Sequence, residues 1–469
     1  MNHLWTASDF SDAVEPISQP GEIGNVDGVS IDSRSIGKGD AFFAIKGDRF
    51  DGHAFAYSAL EAGAAVVVLE EAQKSDFSNL SERVVFVDDV LKALERLGRA
   101  ARKRTKGKII AVTGSVGKTS TKDALRKALE PSGKVHAAVA SFNNHWGVPL
   151  TLARMHADSD FGIFEVGMNH SGEIRTLIDM VRPDIAIVTT VVAAHIGNFN
   201  SIDEIAVAKA EIFEGVVSGG SALVNGDNEF GDYLAKQAAS CGIENIHRFG
   251  SDAEFDAKLL KADLRADGSD LSISLFGEQY RVHLAAPGAH LAQNSLAVLA
   301  VVHLAGANVP AAIAVLASHG ATKGRGERHE LSIGKGTALL IDESYNANPS
   351  SVSAALETLG LGSGKGSGRR IAVLGDMLEL GSDAAALHMS LKEMLVDAGL
   401  DKVYLCGPMM HHLWECLPKD MQAGYGERSQ DLIAPLKEDL QEGDMVMVKG
   451  SLGSRMGVIV ASLLESYKN

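Results

Sequence analysis

The sequence KIIAVTGSVGKTS at residues 108–120 constrains the fold more than any other feature of this chain. A short apolar run, which predicts a buried strand, leads directly into Gly114 and Gly117. Glycine lets the backbone curl until successive N–H groups point at a phosphate, while Lys118 adds a positive charge and Thr119 a hydroxyl suited to Mg²⁺. Good helix formers follow. The segment therefore predicts a strand, a phosphate-binding loop of the short GxxGKT/S form and a helix, and with them a nucleoside triphosphate site.

Size and charge limit the class of protein. The 469 residues are enough for about three domains, and 45% hydrophobic with 22% charged residues is typical of a soluble globular protein. A net charge of −16 argues against a nucleic-acid partner. No signal peptide is recognisable, no apolar run approaches the ~20 residues that span a bilayer, and the three cysteines lack metal-ligand spacing. We expect a cytoplasmic monomer that binds neither nucleic acid nor membrane.

The alternation of predicted strands and helices indicates an α/β protein of three domains. We predict a small α/β domain at residues 1–104, which ends in the basic run Arg102–Arg104. A central phosphate-loop ATPase domain with a mostly parallel sheet is predicted for residues 105–321, with a β-rich insertion near residues 250–285. Residues 322–469 are predicted to form a C-terminal Rossmann-like domain.

Two candidate functional residues follow predicted strands of the central domain. Glu165 lies near the end of the apolar run 161–167, and His195 follows a predicted strand at 184–192. The carboxyl ends of parallel strands meet at the edge where the phosphate loop also opens, so Glu165 is a candidate for binding Mg²⁺ and His195 reaches the same edge. Glu165 could instead be a capped structural acid, and a lone histidine is often structural.

A helix is predicted to start at Ser201, because Ser201 and Glu204 match a capping box. Ile205 and Ile212 then lie on one apolar face, and Lys209 falls inside that face. An inward lysine can extend its ammonium to solvent. Alternatively, desolvation favours the neutral amine, which near a metal could take up CO₂ as a carbamate. The residues alone leave both interpretations open.

Polar loops mark two further candidate sites. The segments 31–35 and 39–47 are rich in Asp, Ser, Arg and Gly; they are either plain turns or a phosphate or sugar site with Arg34 and Lys46 as the charges. In the third domain, polar clusters at 342–349 and 375–381 follow successive predicted strands, which indicates one shared ligand cleft.

With these motifs, the chain resembles the Mur ligase family along its whole length. The shared segments are TGSVGKT (113–119), FNNHWGVP (142–149), EVGMNHSGEI (165–174), AKAEIF (208–213), DESYNANP (342–349), LGDMLELG (374–381) and KGS (449–451). Within the family they are most similar to the members that use ATP to join D-alanyl-D-alanine to UDP-N-acetylmuramoyl-tripeptide through an acyl phosphate. Two segments depart from the family pattern: LAQN follows His290, and Leu452 follows KGS where many relatives carry arginine.

The resemblance implies roles at the matched positions. The implied catalytic residues are Lys118, Lys209, His195 and Glu165. The implied ligands of two Mg²⁺ ions are Thr119, Glu165, His195 and Lys209 as a carbamate. ATP would contact Gly114, Ser115, Gly117, Lys118, Thr119 and Ser120, with Asn294 at the adenine, Arg325 at the terminal phosphate and Asp342 at the ribose. The implied substrate contacts are Ser33, Arg34 and Lys46 for the UDP-sugar, together with Asn143, Asn144, Tyr345, Asn346 and Asn348.

Other functions remain as alternatives. A sister ligase that adds a single amino acid, or a folate polyglutamate synthase, would share the phosphate loop, but the segment 344–349 argues against both. An ATP-driven switch or a binding protein on the same fold would not need Lys118, Glu165, His195 and Lys209 together. No residue can be assigned to the choice of lysine or a diamino acid at the third position of the tripeptide.

Overall fold

The computed structural model describes residues 3–47, 50–193, 196–318, 320–362 and 368–467. Within them, three β-sheets of four, nine and six strands follow one another along the chain, each packed with helices. The predicted α/β class with three domains is confirmed. The boundaries at 104/105 and 321/322 stay predictions. None of the helices in these ranges combines the length and apolar character that a bilayer-crossing segment needs.

The N-terminal sheet is parallel throughout, with strand order β1-β2-β3-β4. Its strands are β1 (Gly28–Ser30), β2 (Asp40–Phe43), β3 (Val66–Glu70) and β4 (Val84–Val87). The helices around it are α1 (Ala7–Val14), α2 (Ala56–Glu61) and α3 (Val90–Arg104). β4 is buried along its whole length because both faces of the sheet are covered.

The central sheet has the order β13-β12-β11-β10-β9-β8-β5-β7-β6. Its strands are β5 (Lys108–Thr113), β6 (Val135–Ala137), β7 (Phe161–Glu165), β8 (Ile185–Val188), β9 (Ser221–Asn225), β10 (Asn245–Gly250), β11 (Ala257–Arg265), β12 (Gly268–Leu275) and β13 (Glu278–Leu284). Its helices are α4 (Lys118–Leu129), α5 (Gly147–Ala153), α6 (Glu173–Val181), α7 (Ile202–Ala210), α8 (Gly231–Ser240), α9 (Ala289–Leu304) and α10 (Val309–Ser318).

Side chains of the central strand β5 alternate between two hydrophobic cores. Ile110 and Val112 pack with α4, α9 and α10 on one face of the sheet. Ile109 and Ala111 pack with α5, α6, α7 and α8 on the other. Because successive strand residues point to opposite faces, an unbroken apolar run can serve both layers. This burial fixes β5 in the sheet and places the following glycine loop at its carboxyl edge.

Two strand predictions for the central domain need correction. The segment near residues 250–285 is β-rich, but it is no separate insertion: β11 joins the sheet beside β10, and two antiparallel hairpins extend the same sheet outward. The predicted strand at 184–192 is shorter than expected, because β8 ends at Val188. The residues after it leave the sheet to support the phosphate loop.

The C-terminal sheet has the order β14-β15-β19-β16-β17-β18, with only β14 antiparallel to its neighbour. Its strands are β14 (Glu327–Ile333), β15 (Gly336–Glu343), β16 (Arg370–Gly375), β17 (Lys402–Cys406), β18 (Gln422–Gly426) and β19 (Met445–Lys449). Its helices are α11 (Pro349–Gly360), α12 (Ala384–Asp397), α13 (Met410–Cys416), α14 (Ile433–Asp439) and α15 (Gly457–Ser466). Helices α11–α13 cover one face and α14–α15 the other. The carboxyl ends of β15 and β19 point toward the phosphate loop.

The hydrophobic core of the N-terminal domain extends into the central domain through α5. Leu150 and Ala153 of α5 are buried among residues of α1, α3 and the N-terminal sheet. The indole N–H of Trp5 donates to the carbonyl of Ala153 at 3.0 Å, and Arg154 donates to the carbonyl of Val29 at 2.6 Å. These two domains therefore pack as one unit.

Candidate active site

The phosphate loop has the predicted geometry. β5 ends at Thr113, and α4 begins at Lys118 directly after Gly117, whose φ of +84° lies in the left-handed region that favours glycine. No side chain among the described residues caps this helix, so the N–H groups of its first turn remain open to an anion. A Cβ at Gly117 would lie 3.1 Å from Nδ2 of Asn294, which places the α9 amide beside the loop.

Lys118 is held over the loop by its own backbone. Its Nζ donates to the carbonyl oxygens of Gly114 at 2.6 Å and Ser115 at 3.4 Å. Burial lowers the pKa of Lys118, which the Glu165 carboxylate opposes and the charge of Arg325 reinforces. The loop thus places one cation beside a carboxylate and a second cation that belongs to the C-terminal domain.

Glu165 offers an open coordination position. It is the last residue of β7 and only 2% exposed, and its Oε1 accepts a hydrogen bond of 2.7 Å from Nδ2 of Asn143. Its Oε2 is buried without a hydrogen-bond partner among the described residues. An unpaired buried carboxylate oxygen is costly, so the arrangement fits a cation better than a purely structural acid. Thr119 lies in the same cleft, where its hydroxyl shares a hydrogen bond of 2.9 Å with Ser141.

Lys209 points into the protein. It lies on α7 and is 3% exposed, which rules out the first of the two interpretations, an ammonium that extends to solvent. Burial lowers its pKa well below the usual lysine value, and the charge of Lys118 lowers it further. The N-terminus of α7 keeps half of the predicted capping box. Ser201 accepts from the N–H of Glu204, but Glu204 accepts from Asn200 instead of Ser201.

A cleft of about 440 Å³ lies between the central and C-terminal domains. From the C-terminal side, the Arg325 guanidinium stacks 4.3 Å from the centre of the Tyr345 ring. Lys449 Nζ donates to Glu343 Oε2 and to the carbonyl of Asn346, both at 3.0 Å. The predicted residues that line the cleft are Ser115, Gly117, Lys118, Thr119, Ser120, Asn143, Glu165, Asn294, Arg325, Tyr345, Asn346 and Asn348.

A smaller cavity of about 60 Å³ is lined by residues of the same region. Apolar side chains make up most of its wall, including Ala124, Leu284 and Leu316, while Asn294 supplies an amide. The other polar residues of the wall are Ser120, Ser295, Thr322 and Arg325, so the cavity combines an apolar wall with a few polar groups, as small-molecule sites do.

The central and C-terminal domains also meet at residues that do not line the cleft. The N–H of Gly197 donates to the carbonyl of Glu379 at 3.2 Å. A Cβ at Gly197 would lie 2.8 Å from the backbone nitrogen of Gly381, so the two glycines allow a close approach of the central and C-terminal chains.

Comparison with known proteins agrees with this geometry. Three family models match: the Mur ligase family catalytic domain at residues 25–103, the Mur ligase middle domain at 112–302, and the Mur ligase glutamate ligase domain at 324–452. The chain belongs to the Mur ligase family. Two similar Mur ligases are UDP-N-acetylmuramoyl-tripeptide–D-alanyl-D-alanine ligases. That of Escherichia coli K12 is 33% identical over 98% of each chain, and that of Rickettsia prowazekii is 32% identical over 93% of this chain and 95% of the relative.

Solved Mur ligase structures share the whole fold. MurF from Acinetobacter baumannii superposes with a TM-score of 0.85 at 27% identity, covering 98% of this chain and 99% of that one. The MurF ligase of Thermotoga maritima, solved in complex with ADP, gives a TM-score of 0.79 at 26% identity over 93% and 97% of the two chains.

Several residues predicted from the Mur ligase resemblance do not line the cleft. Asn144 accepts from the N–H groups of Trp146 and Gly147, so it supports the start of α5. Asp342 is 2% exposed, and its carboxylate already accepts hydrogen bonds from the N–H of Gly324 and from the N–H and hydroxyl of Ser344. Both side chains have structural partners. His195 lies outside the described residues.

The predicted sugar-binding residues lie in the N-terminal domain, away from the cleft. Ser33 and Arg34 form a short 3₁₀ helix, where the exposed Arg34 pairs with Asp32 at 2.7 Å. Lys46 is exposed, and a Cβ at the next residue, Gly47, would lie 2.9 Å from the ring of Trp146 in the central domain. Their role in binding the UDP-sugar stays a prediction.

Residues to which the sequence predictions gave no individual role also line the cleft. They include Ser141, Thr189, Thr190, Gln293, Glu343 and Lys449. Lys449 could have been predicted, because it ends an apolar strand, and polar residues at the carboxyl ends of parallel strands lie at the same edge of the sheet. Ser141 had none, because an isolated serine in a loop carries no periodic pattern.

Proposed function

We propose that this chain uses ATP to join D-alanyl-D-alanine to UDP-N-acetylmuramoyl-tripeptide, releasing ADP and phosphate. The relatives from Escherichia coli and Rickettsia prowazekii are named for this reaction, and they match nearly the whole chain. One observation carries the proposal in this structure. The interdomain cleft brings the phosphate loop and the unpaired Oε2 of Glu165 to the same place as Arg325 and Lys449 of the C-terminal domain.

The chemistry requires an activated carboxylate. The γ-phosphoryl group of ATP passes to the terminal carboxylate of the tripeptide, forming an acyl phosphate and ADP. The amine of D-alanyl-D-alanine then attacks the acyl carbon, loses a proton and expels phosphate. Because two anions meet in the first step, Lys118 and Arg325 are placed to offset the charge that moves between them. Closure of the C-terminal domain excludes water that would hydrolyse the acyl phosphate.

Two Mg²⁺ ions belong to this proposal. The unpaired Oε2 of Glu165 and the hydroxyl of Thr119 fit one ion, and His195 with a carbamate on Lys209 would complete the set. Bound Mg²⁺ would neutralise phosphate charge during transfer. Burial lowers the pKa of Lys209 and so favours the neutral amine, the form that reacts with CO₂, which supports the carbamate at Lys209. Glu165→Gln keeps the size but removes the charge, so the Mg²⁺ requirement should rise steeply while folding is retained.

The remaining substrate contacts are assigned by position. We propose that the small cavity holds the adenine against Asn294 and that the ribose approaches the Asp342 loop. The UDP-sugar would bind the N-terminal domain at Ser33, Arg34 and Lys46, and the dipeptide would bind near Tyr345, Asn346 and Asn348. The proposed setting is a cytoplasmic monomer that makes the peptidoglycan precursor UDP-N-acetylmuramoyl-pentapeptide.

Phosphate release with ATP, Mg²⁺ and UDP-N-acetylmuramoyl-tripeptide tests the activity. Release should require D-alanyl-D-alanine, and tripeptides ending in lysine or in a diamino acid would show which donor is used. Release with single amino acids would identify a sister ligase. ATP binding without release for any acceptor would support a switch protein. Loss of activity in Lys209→Ala and its recovery with short carboxylic acids would support the carbamate.

A further inference from the structure

Lys122 is a fully buried lysine with no part in the proposed chemistry. It lies on α4, one turn after Lys118, and its exposed fraction is 0%. An ammonium group without solvent is costly to bury, and a methionine would fill the same space at lower cost. We therefore expect the ammonium of Lys122 to make interactions that a methionine could not provide.

The hydrogen bonds of Lys122 hold a loop. Nζ donates to the carbonyl oxygens of Ala138 at 2.7 Å and Ala140 at 3.4 Å, and it pairs with Asp123 at 2.9 Å. Residues 138–146 connect β6 to α5 without regular structure. Apolar packing does not hold the tip of this loop, because Val139 is 92% exposed. The lysine is thus a polar anchor between the loop and the helix that follows the phosphate loop.

The anchored loop contacts two candidate Mg²⁺ ligands. Ser141 shares its hydrogen bond with the hydroxyl of Thr119, and Asn143 donates to Oε1 of Glu165. The carbonyl of Asn143 also accepts from the N–H of Gly167, just after β7. A shift of the loop would therefore turn both the hydroxyl and the carboxylate.

We propose that Lys122 is a positioning residue: it fixes the loop at 138–144 so that Ser141 and Asn143 orient Thr119 and Glu165 toward Mg²⁺ and the nucleotide phosphates. The inference rests on the proposed function for its metal. The loop, together with the ligands themselves, then determines the geometry of the metal site. Removal of a residue that orients metal ligands through hydrogen bonds typically lowers metal affinity by about tenfold or more.

The substitution Lys122→Met tests this inference, with Lys127→Met as its matched control. Lys127 lies on the same helix, is partly exposed and pairs with Glu130. Calorimetric binding of ADP at increasing Mg²⁺ concentrations is the main measurement. In Lys122→Met, half-maximal binding should need about tenfold more Mg²⁺. The KM for D-alanyl-D-alanine should be unchanged, and Lys127→Met should match the wild type in both measurements.

A double-mutant cycle separates positioning from general stability. Ser141→Ala and Lys122→Met act through the same loop, so their combined effect on the Mg²⁺ requirement should be smaller than the product of the single effects. Lys122→Gln keeps a hydrogen-bond donor on a shorter side chain, so its Mg²⁺ requirement should lie between those of the wild type and Lys122→Met. This variant replaces Lys122→Met in the measurement if the methionine variant does not fold.

An unchanged Mg²⁺ requirement in folded Lys122→Met, or purely multiplicative effects in the cycle, would overturn the inference. Failure of the wild type to ligate any acceptor would instead overturn the proposed function. The ADP-binding measurement would still decide the role of Lys122, because it does not depend on turnover.

Discussion

Replacing Lys209 by methionine should stabilise the metal-free protein while abolishing ligation. The side chain is 3% exposed, and burial together with Lys118 holds its pKa well below the usual lysine value. The unfolded chain exposes this lysine to water and keeps it protonated up to about pH 10. Folding therefore favours loss of the proton at this position, a cost that methionine does not carry.

The size of the effect follows from proton linkage. A group whose folded pKa is depressed below its unfolded value makes the unfolded state bind more protons, so the free energy of unfolding rises with pH until the unfolded pKa is passed. In the pH range where Lys209 is neutral in the folded state and charged in the unfolded state, the free energy of unfolding of the wild type rises by about 1.4 kcal/mol per pH unit. From about pH 8 to about pH 9.5, the advantage of Lys209→Met should shrink by about 2 kcal/mol.

Urea unfolding followed by circular dichroism measures this difference. EDTA and CO₂-free buffer keep Lys209 as the free amine, and wild type and variant are compared at each pH so that other titrations cancel. Lys236→Met is the control, because Lys236 is exposed on α8 and its replacement should give no pH-dependent difference. Adding bicarbonate should stabilise the wild type and leave Lys209→Met unchanged.

A stability difference between Lys209→Met and the wild type that does not change with pH would refute the reasoning. It would mean that Lys209 remains charged in the folded protein, and the neutral amine needed for a carbamate would be absent.

Two further predictions test other parts of the fold. Gly197→Ala places a Cβ 2.8 Å from the backbone of Gly381, so kcat should fall at least about tenfold while ATP affinity stays near wild type; equal losses of both would contradict a role in closure. Asp439 accepts from Lys402, Arg369 and Tyr404; burial raises its pKa, but these hydrogen bonds lower it overall to about 2. Its contribution of about 1–2 kcal/mol should be present above about pH 4 and vanish as pH falls toward 2. Asp439→Asn should therefore destabilise the protein at pH 7 and have little effect near pH 2, whereas the control Asp397→Asn, at an exposed position, should have little effect at either pH.

Local patterns were enough to predict the centre of the site. The glycine loop between β5 and α4 and Glu165 at the end of β7 follow from short-range rules on strand burial and turn residues, whereas Asn294 on α9 was assigned from the family resemblance. The family resemblance then assigned these residues to one ATP and Mg²⁺ site. The inward direction of Lys209 was also readable, because helical spacing placed it on an apolar face.

Contacts between distant segments could not be read in this way. Lys122 has the spacing of an ordinary helix lysine, and its carbonyl partners lie 16 and 18 residues further along the chain. The burial of Asp342 depends on a backbone N–H from the preceding loop, which no side-chain pattern reveals. The hairpin strands β11–β13 alternate as expected, but alternation does not say which sheet a strand joins.

The shared core of the N-terminal and central domains has a mechanical consequence. Removing residues 1–104 would uncover the apolar face of α5, including Leu150 and Ala153, so a truncated chain should aggregate where an excised C-terminal domain could stay soluble. By this criterion the three domains form two rigid bodies. We expect the first two domains to move together as one body that holds the phosphate loop, and the C-terminal domain, which carries Arg325, to rotate relative to them.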